Sequence, residues 1–545
     1  MSAITFDDLI PAQQEVTDLT ELTALVLGGA GVGKTTAALW AARRELTGRG
    51  AREHPIPGER VLFVTFSRTA VAQIRSRATG VLTGLGESVE ILTFHGLAYR
   101  LLCGFGRYVG VDGIPTLTGE ARTKLATPAP SGAQMTYDDL LPRALRLMET
   151  PGPVAELLAA RWRLVICDEF QDTDDLEWRL LQFLGRTARL LLLADPNQMI
   201  YGFKDGVSEA RLDAARARPG VVELTLPPGS HRDPTQVIPD AASEIRWRRF
   251  DAAAVRAAVE GGRLIVRQGV PDDDDERAAA LANEVARLRS EGHRTIGIYA
   301  KTNSDAAGLS AALTDRAVDH VPIGFGEAYG EALAAMLAMV EYAMADGVAW
   351  ADVRTALATA LTATVRSTRP PDVALDLHHG RPLPGELNTR LARLQEALDA
   401  ADDLDAAASV AGRAWEGFGF TTGQRAWKRA ARTFGSLLSR ARLDSLDPIG
   451  RLTRSVDEVR NASFVELDAG DTGAIQLMNF SQTKGREADA VILSYGSGDW
   501  YGPNAQEPYD EASRLLYVSM TRARRVVVVM LPPSPHALVR PFVAY

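Results

Sequence analysis

The run from Thr23 to Ala37, TALVLGGAGVGKTTA, limits the possible folds more than any other stretch of the chain. An apolar segment ends in Gly28 and Gly29, and the residues from Lys34 onward suit a helix. A buried strand that turns through glycines into a helix leaves several backbone N–H groups aimed at one spot, where a chain of phosphates fits. In such a loop Gly29, Ala30, Gly31, Val32 and Gly33 supply backbone, and the Lys34 ammonium reaches the β- and γ-phosphates. The Thr35 hydroxyl, followed by Thr36, is then the expected ligand of Mg²⁺. A nucleoside triphosphate is the implied ligand, and a parallel sheet its implied support.

A chain of 545 residues is too long for one core. At about 150 residues per domain it divides into three or four units. Apolar strands bounded by turn signals are expected at 60–67, 163–170, 189–196, 263–268, 294–302, 473–480, 489–496 and 525–532. They alternate with helical stretches, which implies parallel sheets covered on both faces. One set precedes about residue 225 and the other follows it. Between about 100 and 160, and again between about 330 and 470, the pattern turns helical with Pro and Gly interruptions, as expected of an insertion in each core. The acidic run Asp272 to Glu276 precedes AAALANEVARL and reads as a solvated helix start.

Composition narrows the setting. No apolar run approaches the roughly 20 residues that would span a bilayer, and the N-terminal stretch has neither a basic nor an apolar export region. Only Cys103 and Cys167 are present, so no disulfide framework or zinc finger is expected, and a cytoplasmic location fits. A net charge of −9 argues against coating nucleic acid by bulk charge but permits a local basic channel.

A second chemical string, Cys167-Asp168-Glu169-Phe170-Gln171-Asp172-Thr173, follows the strand expected at 163–170. An Asp at a strand end beside a phosphate loop can hold Mg²⁺, and the next carboxylate can orient and deprotonate an attacking water. Hydrolysis, with Asp168 on metal and Glu169 as base, is therefore expected.

With DEFQDT the chain resembles the UvrD/Rep type of superfamily 1 DNA helicase, and other strings resemble that family's motifs in the family's order. Gln13 in PAQQEV is similar to the adenine-reading Gln, whose amide can pair with both a donor and an acceptor. VTFSRTAVAQIRSR and LTFHGLAYRLL resemble motifs Ia and Ib, and ADPNQMIYGFKDG resembles motif III, with Gln198 toward the γ-phosphate. GSHRDPTQVI resembles motif IV, with His231 and Arg232; FSQTKGREADAVIL resembles motif V, with Glu487 toward the ribose; EASRLLYVSMTRARR resembles motif VI, with Arg522 as arginine finger.

The resemblance implies an α/β fold of two RecA-like P-loop NTPase domains with parallel sheets, each carrying a mainly helical insertion. Core 1 would comprise 1–100 and 161–224, with a short insertion at 101–160. Core 2 would comprise 225–330 and 471–545, with an insertion at 331–470. ATP and Mg²⁺ would bind between the cores. Single-stranded and tailed duplex DNA would be the track, met by the aromatic faces of Phe66, Tyr201 and Phe203 and by Thr65, Thr93 and His95 at backbone phosphates.

The implied activity is ATP-dependent 3′–5′ translocation with unwinding. A DNA-stimulated regulatory ATPase or end sensor working with a nuclease, repair or defence partner is the alternative. No membrane is involved in either. The family's usual aromatic before the motif IV Arg is here His231, its Trp-Arg after motif III is Phe203-Lys204, and its motif V His is Ser481. The basic segment 421–442, with Arg425, Lys428, Arg429 and Arg432, reads equally as a duplex contact or as a solvated helix face.

Overall fold

The computed structural model describes the chain except for residues 1–4, 49–59, 113–115, 118–119, 126–133, 203, 324–326, 346, 366–368, 421–422, 444–446, 465–474 and 498–506. Its strands are β1 (Thr23–Leu27), β2 (Val61–Thr65), β3 (Val89–Thr93), β4 (Thr116–Leu117), β5 (Gln134–Met135), β6 (Leu164–Cys167), β7 (Arg189–Ala194), β8 (Val221–Thr225), β9 (Leu264–Arg267), β10 (Ile296–Ala300), β11 (His320–Pro322), β12 (Ile475–Asn479), β13 (Ala488–Ser494) and β14 (Ala523–Met530). Two six-stranded sheets form, in the orders β3-β2-β6-β7-β1-β8 and β11-β12-β10-β13-β14-β9. Every ladder in both is parallel.

The expected α/β class thus stands, and the packing shows why these strands are apolar throughout. Successive side chains of a strand leave opposite faces of the sheet. In the first sheet Leu25, Leu62, Val64, Val165, Leu190 and Leu192 enter one core, while Ala24, Val26, Phe63, Ile166, Leu191 and Leu193 enter another on the far side. The second sheet divides the same way, with Tyr299, Met478, Val491 and Val527 against Ile298, Leu477, Ile492 and Val528. With helices on both faces, neither side of a central strand meets water, so alternation disappears from the sequence.

Three strands of the two large sheets, β3, β8 and β11, lie outside the expected set, and all three are at sheet edges. Strand β8 shows the reason: its residues are half-buried or exposed, so VVELT lacks the continuous apolar run of a central strand.

The insertions are helical as expected, apart from a two-stranded parallel ladder of β4 and β5 in the first. Helices from Glu327 to Phe464 enclose their own apolar core, which includes Trp415, Trp427 and Phe434 and also takes in Leu125 of the first insertion. An ion pair between Arg122 and the buried Glu331, at 3.3 Å, joins the two insertions. The acidic run does open a helix, Asp274–Ser290, where Asp273 accepts bonds from the amides of Asp275 and Glu276 at 2.9 and 3.1 Å. Among the described residues no helix is long and apolar enough to cross a membrane.

Candidate nucleotide cleft between the two sheets

The loop after β1 feeds directly into the helix Lys34–Thr47. Gly31 and Gly33 have φ of +79° and +87°, the left-handed region in which a side chain is strained. Space is limited as well: a Cβ at Gly31 would lie 2.4 Å from Ser230 Oγ, and one at Gly33 would lie 2.3 Å from Gln13 Nε2. Lys34 Nζ donates to the carbonyls of Gly28 and Gly29 at 2.6 and 3.0 Å, so its charge lies within the loop.

Across the loop, β6 is followed at once by two acidic residues, Asp168 and Glu169. Thr35 Oγ1 donates to Asp168 Oδ2 at 3.0 Å. Burial, reinforced by the neighbouring Glu169 charge, pushes the Asp168 carboxyl up. Two hard oxygen donors side by side, one on a buried carboxylate, fit Mg²⁺, which takes few protein ligands in triphosphate sites and keeps phosphate and water oxygens for the rest. Among the described residues no group of three or more acidic, His or Cys side chains is arranged to hold a metal ion.

Glu169 has a left-handed backbone, φ 58°. Burial alone would raise its pKa, but the Lys484 and Lys34 charges outweigh burial and hold it down to about 2. Its Oε2 accepts from the Gln171 amide at 2.7 Å and lies 3.4 Å from Lys484 Nζ.

The second sheet supplies the opposite wall. Arg232 donates to the Thr521 carbonyl at 2.5 Å and to Glu487 at 2.7 Å. Glu487 also meets Arg77 at 3.3 Å and Arg524 at 3.2 Å. Its burial is overcome chiefly by Arg232, and its pKa falls to about 2. Arg522 is buried, donates to the Val518 carbonyl at 2.9 Å and reaches Gln198 Oε1 at 2.8 Å. Burial, then Arg232, lowers its pKa to about 10, which leaves it charged at neutral pH. Gln198 turns its amide nitrogen to Asp195 Oδ2 at 2.7 Å.

At the other end, Gln13 Nε2 donates to the Val32 carbonyl at 2.9 Å and lies 3.4 Å from His231 Nε2, while its Oε1 accepts from Ile10 N at 3.1 Å. One cleft of about 590 Å³ gathers Gln13, Gly31, Val32, Gly33, Lys34, Thr35, Thr36, Asp168, Glu169, Gln198, His231, Arg232, Glu487 and Arg522. These residues span almost the whole sequence. Gly29 and Ala30 sit just behind, where Ala30 N donates to the Tyr517 hydroxyl at 3.3 Å.

The expected strand contacts separate into two groups. Phe66 and Tyr201 pair with ring centroids 4.7 Å apart, and Lys204 Nζ lies 4.2 Å from the Phe66 centroid. His95 stacks on Tyr137 at 4.2 Å, with the rings 10° from parallel. Thr65, by contrast, is wholly buried, and Thr93 uses its hydroxyl to accept from Gly96 N at 2.9 Å at a helix start. Both end strands of the first sheet, where side chains pack inward. Phe203 lies outside the described residues. In the basic segment, Trp427 and Phe434 are core, Arg429 lies over Tyr329 at 4.5 Å and Lys428 pairs with Glu416 at 3.0 Å, while the Arg425 side chain is outside the described residues.

Several cleft residues were not picked out from sequence: Arg77, Gln171, Asp172, Asp195, Lys484 and Tyr517. All six lie inside strings already singled out, VTFSRTAVAQIRSR, DEFQDT, ADPNQMIYGFKDG, FSQTKGREADAVIL and EASRLLYVSMTRARR, so proximity within a motif was the available signal. Which of them meet across the cleft had no such signal.

Comparison with known proteins gives three results. The model of the UvrD/REP helicase N-terminal domain matches residues 9–124 and 117–217. The ATP-dependent DNA helicase UvrD2 of Mycobacterium tuberculosis is 27% identical over an alignment covering 92% of this chain and 75% of that protein. The UvrD1 helicase of the same organism is 22% identical across 58% of this chain and 50% of its own length, and RecBCD enzyme subunit RecB is 42% identical over 81 residues, 14% of this chain and 7% of RecB.

Proposed function

We propose that this chain, which resembles the UvrD/Rep-type superfamily 1 helicases in its matched N-terminal domain and in its long alignment with UvrD2, is an ATP-driven translocase on single-stranded DNA, moving 3′ to 5′ and opening a tailed duplex. One observation carries the reading: the phosphate loop and the Asp168-Glu169 pair of the first sheet face Arg232 and Arg522 of the second across a single cleft. Cations that reach the γ-phosphate from another body stabilise transition-state charge only when the cleft is closed. Hydrolysis and relative movement of the two sheets are thereby coupled.

In this reading the loop amides and Lys34 bind the phosphates, and Thr35 and Asp168 hold Mg²⁺. Bound Mg²⁺ offsets phosphate charge. Glu169 orients the attacking water and takes its proton on a carboxylate oxygen, while Gln198, Arg232 and Arg522 meet the γ-phosphate. Gln13 and His231 flank the base, and Glu487 lies toward the ribose. Phe66 and Tyr201, with Lys204 above, offer a stacking platform that accepts any base. His95 stacked on Tyr137 offers a second aromatic face.

The test is steady-state ATP hydrolysis with and without single-stranded DNA, followed by unwinding of duplexes tailed on either strand. Strong stimulation by DNA, lost in Glu169→Gln, and unwinding from a 3′ tail alone are the expected results. Turnover indifferent to DNA sinks the reading. The short match to RecB favours a second one, a DNA-stimulated ATPase that assists a nuclease or repair partner, and it predicts stimulation without unwinding.

A further inference from the structure

Segment 481–487 leaves the second sheet and lies across the first. Its attachments are many: the Ser481 carbonyl accepts from the Tyr201 hydroxyl at 2.9 Å, Arg486 donates to Thr69 Oγ1 at 3.1 Å, and Glu487 meets Arg77. Between them Lys484 inserts a charge that is almost wholly buried. Its ammonium bonds the Asp172 carboxylate and the Gln198 carbonyl, the latter at 2.8 Å, and lies 3.4 Å from the Glu169 carboxylate. The same ammonium is 5.7 Å from the ring centroid of Tyr201. One cation therefore touches the aromatic platform on one side and the water-orienting carboxylate on the other.

Resting on the translocase reading above, we propose that Lys484 is the positioning residue through which an occupied strand platform sets the Glu169 carboxylate. The argument is geometric. Tyr201 is tied to segment 481–487 by its hydroxyl and to Phe66 by its ring, so a base entering between platform and segment displaces the backbone that carries Lys484. Because Lys484 holds Asp172, Glu169 and the Gln198 carbonyl together, it cannot shift without releasing all three. Gln198 is in turn held by Arg522, so the displacement reaches the carboxylate and the γ-phosphate side at once. A buried ammonium shared by two carboxylates has two discrete arrangements, bound or released, which is what transmission between sites requires.

The experiment measures ATP turnover of the full chain with Mg²⁺, with and without a thymidine homopolymer, in wild type, Lys484→Met and Lys484→Arg. The expected result is a fall of about tenfold in the ratio of DNA-stimulated to basal turnover for Lys484→Met, within the usual range for coupling between two sites. Lys484→Arg, which keeps the charge, is expected to recover most of it. Removing Lys484 strands a buried Asp172 charge, so the double variant Asp172→Asn/Lys484→Met, which leaves no such charge, is measured alongside and is expected to show the same loss of ratio. If either Met variant lowers turnover equally with and without DNA, Lys484 merely supports the fold and the proposal is overturned. If wild-type turnover ignores the homopolymer, the translocase reading itself fails and takes the proposal with it; that outcome appears in the wild-type arm alone.

Discussion

The two walls of the cleft are built by opposite means. On the first sheet one unbroken run, Gly31 to Thr36, lines the wall, and Asp168 and Glu169 add a second short string. On the second sheet the wall consists of single residues from segments far apart: His231 and Arg232, then Glu487, then Arg522. The sheets beneath them are alike, six parallel strands each with an apolar core on either face. Architecture is therefore neutral toward the chemistry, which lies in what leaves the strand ends. On the proposed reading, a contiguous loop would bind phosphates whether or not the cleft is closed, whereas dispersed cations would act only when the second sheet is in place, the property the proposed motor requires.

Substitutions can break this comparison. The largest effect is expected at Arg522. Arg522→Ala should lower kcat by about 10³-fold while ATP binding to the loop persists, as for other arginines that stabilise phosphoryl transfer. Parallel kinetics on the exposed Arg524→Ala should show a much smaller change, and equal losses would mean that the second wall acts only by bulk charge.

The likeness of the two sheets is tested by matched core truncations. Leu192→Ala in the first and Leu477→Ala in the second, both fully buried, should each cost about 3 kcal/mol by chemical denaturation. A large difference would show that one sheet depends on the other for its stability.

Smaller effects are expected at the loop. Gly33→Ala forces a side chain into φ +87° beside Gln13 and should weaken ATP binding about tenfold, from roughly 1–2 kcal/mol of backbone strain. Titration calorimetry reads this directly, and unchanged affinity would show that the loop relaxes freely.

The smallest is a pH effect at Glu177. Burial, then the Asp174 charge, lifts this carboxyl from an ordinary 4.5 to about 8. The folded chain therefore keeps a proton that the unfolded chain releases. The contribution to stability is complete below 4.5 and is lost as pH rises through about 8. Glu177→Gln can still accept from Asp174 N in the cap at the start of helix Asp175–Leu184, now without a charge to bury. Its melting temperature should match wild type at pH 5 and exceed it by a few degrees at pH 9; a constant difference would remove the titration from the explanation.

Much of the fold and site was legible because its signals are local. Central strands read as apolar runs because both sheet faces are covered, and the glycines of the loop are required by positive φ and by close neighbours. Three of the four edge strands of the large sheets, β3, β8 and β11, were not legible, since partial exposure breaks the apolar run, whereas the fourth, β9, kept one in LIV. Thr65 and Thr93 show the opposite failure. Their motif position suggested an outward role, but one is buried at a strand end and the other caps a helix.

The sequence by itself determined the phosphate loop, the acidic pair, the parallel α/β class and the family resemblance, because each depends on residues adjacent in the chain or on the period of a single element. Only the tertiary structure decided that Arg77 and Arg232 share Glu487, that Gln198 lies between Arg522 and Lys484, and that Lys484 joins an aromatic platform to Glu169. Those contacts join residues hundreds of positions apart, and they form because two separately built sheets bury charges against each other, where each cation needs a carboxylate or a carbonyl from the other side.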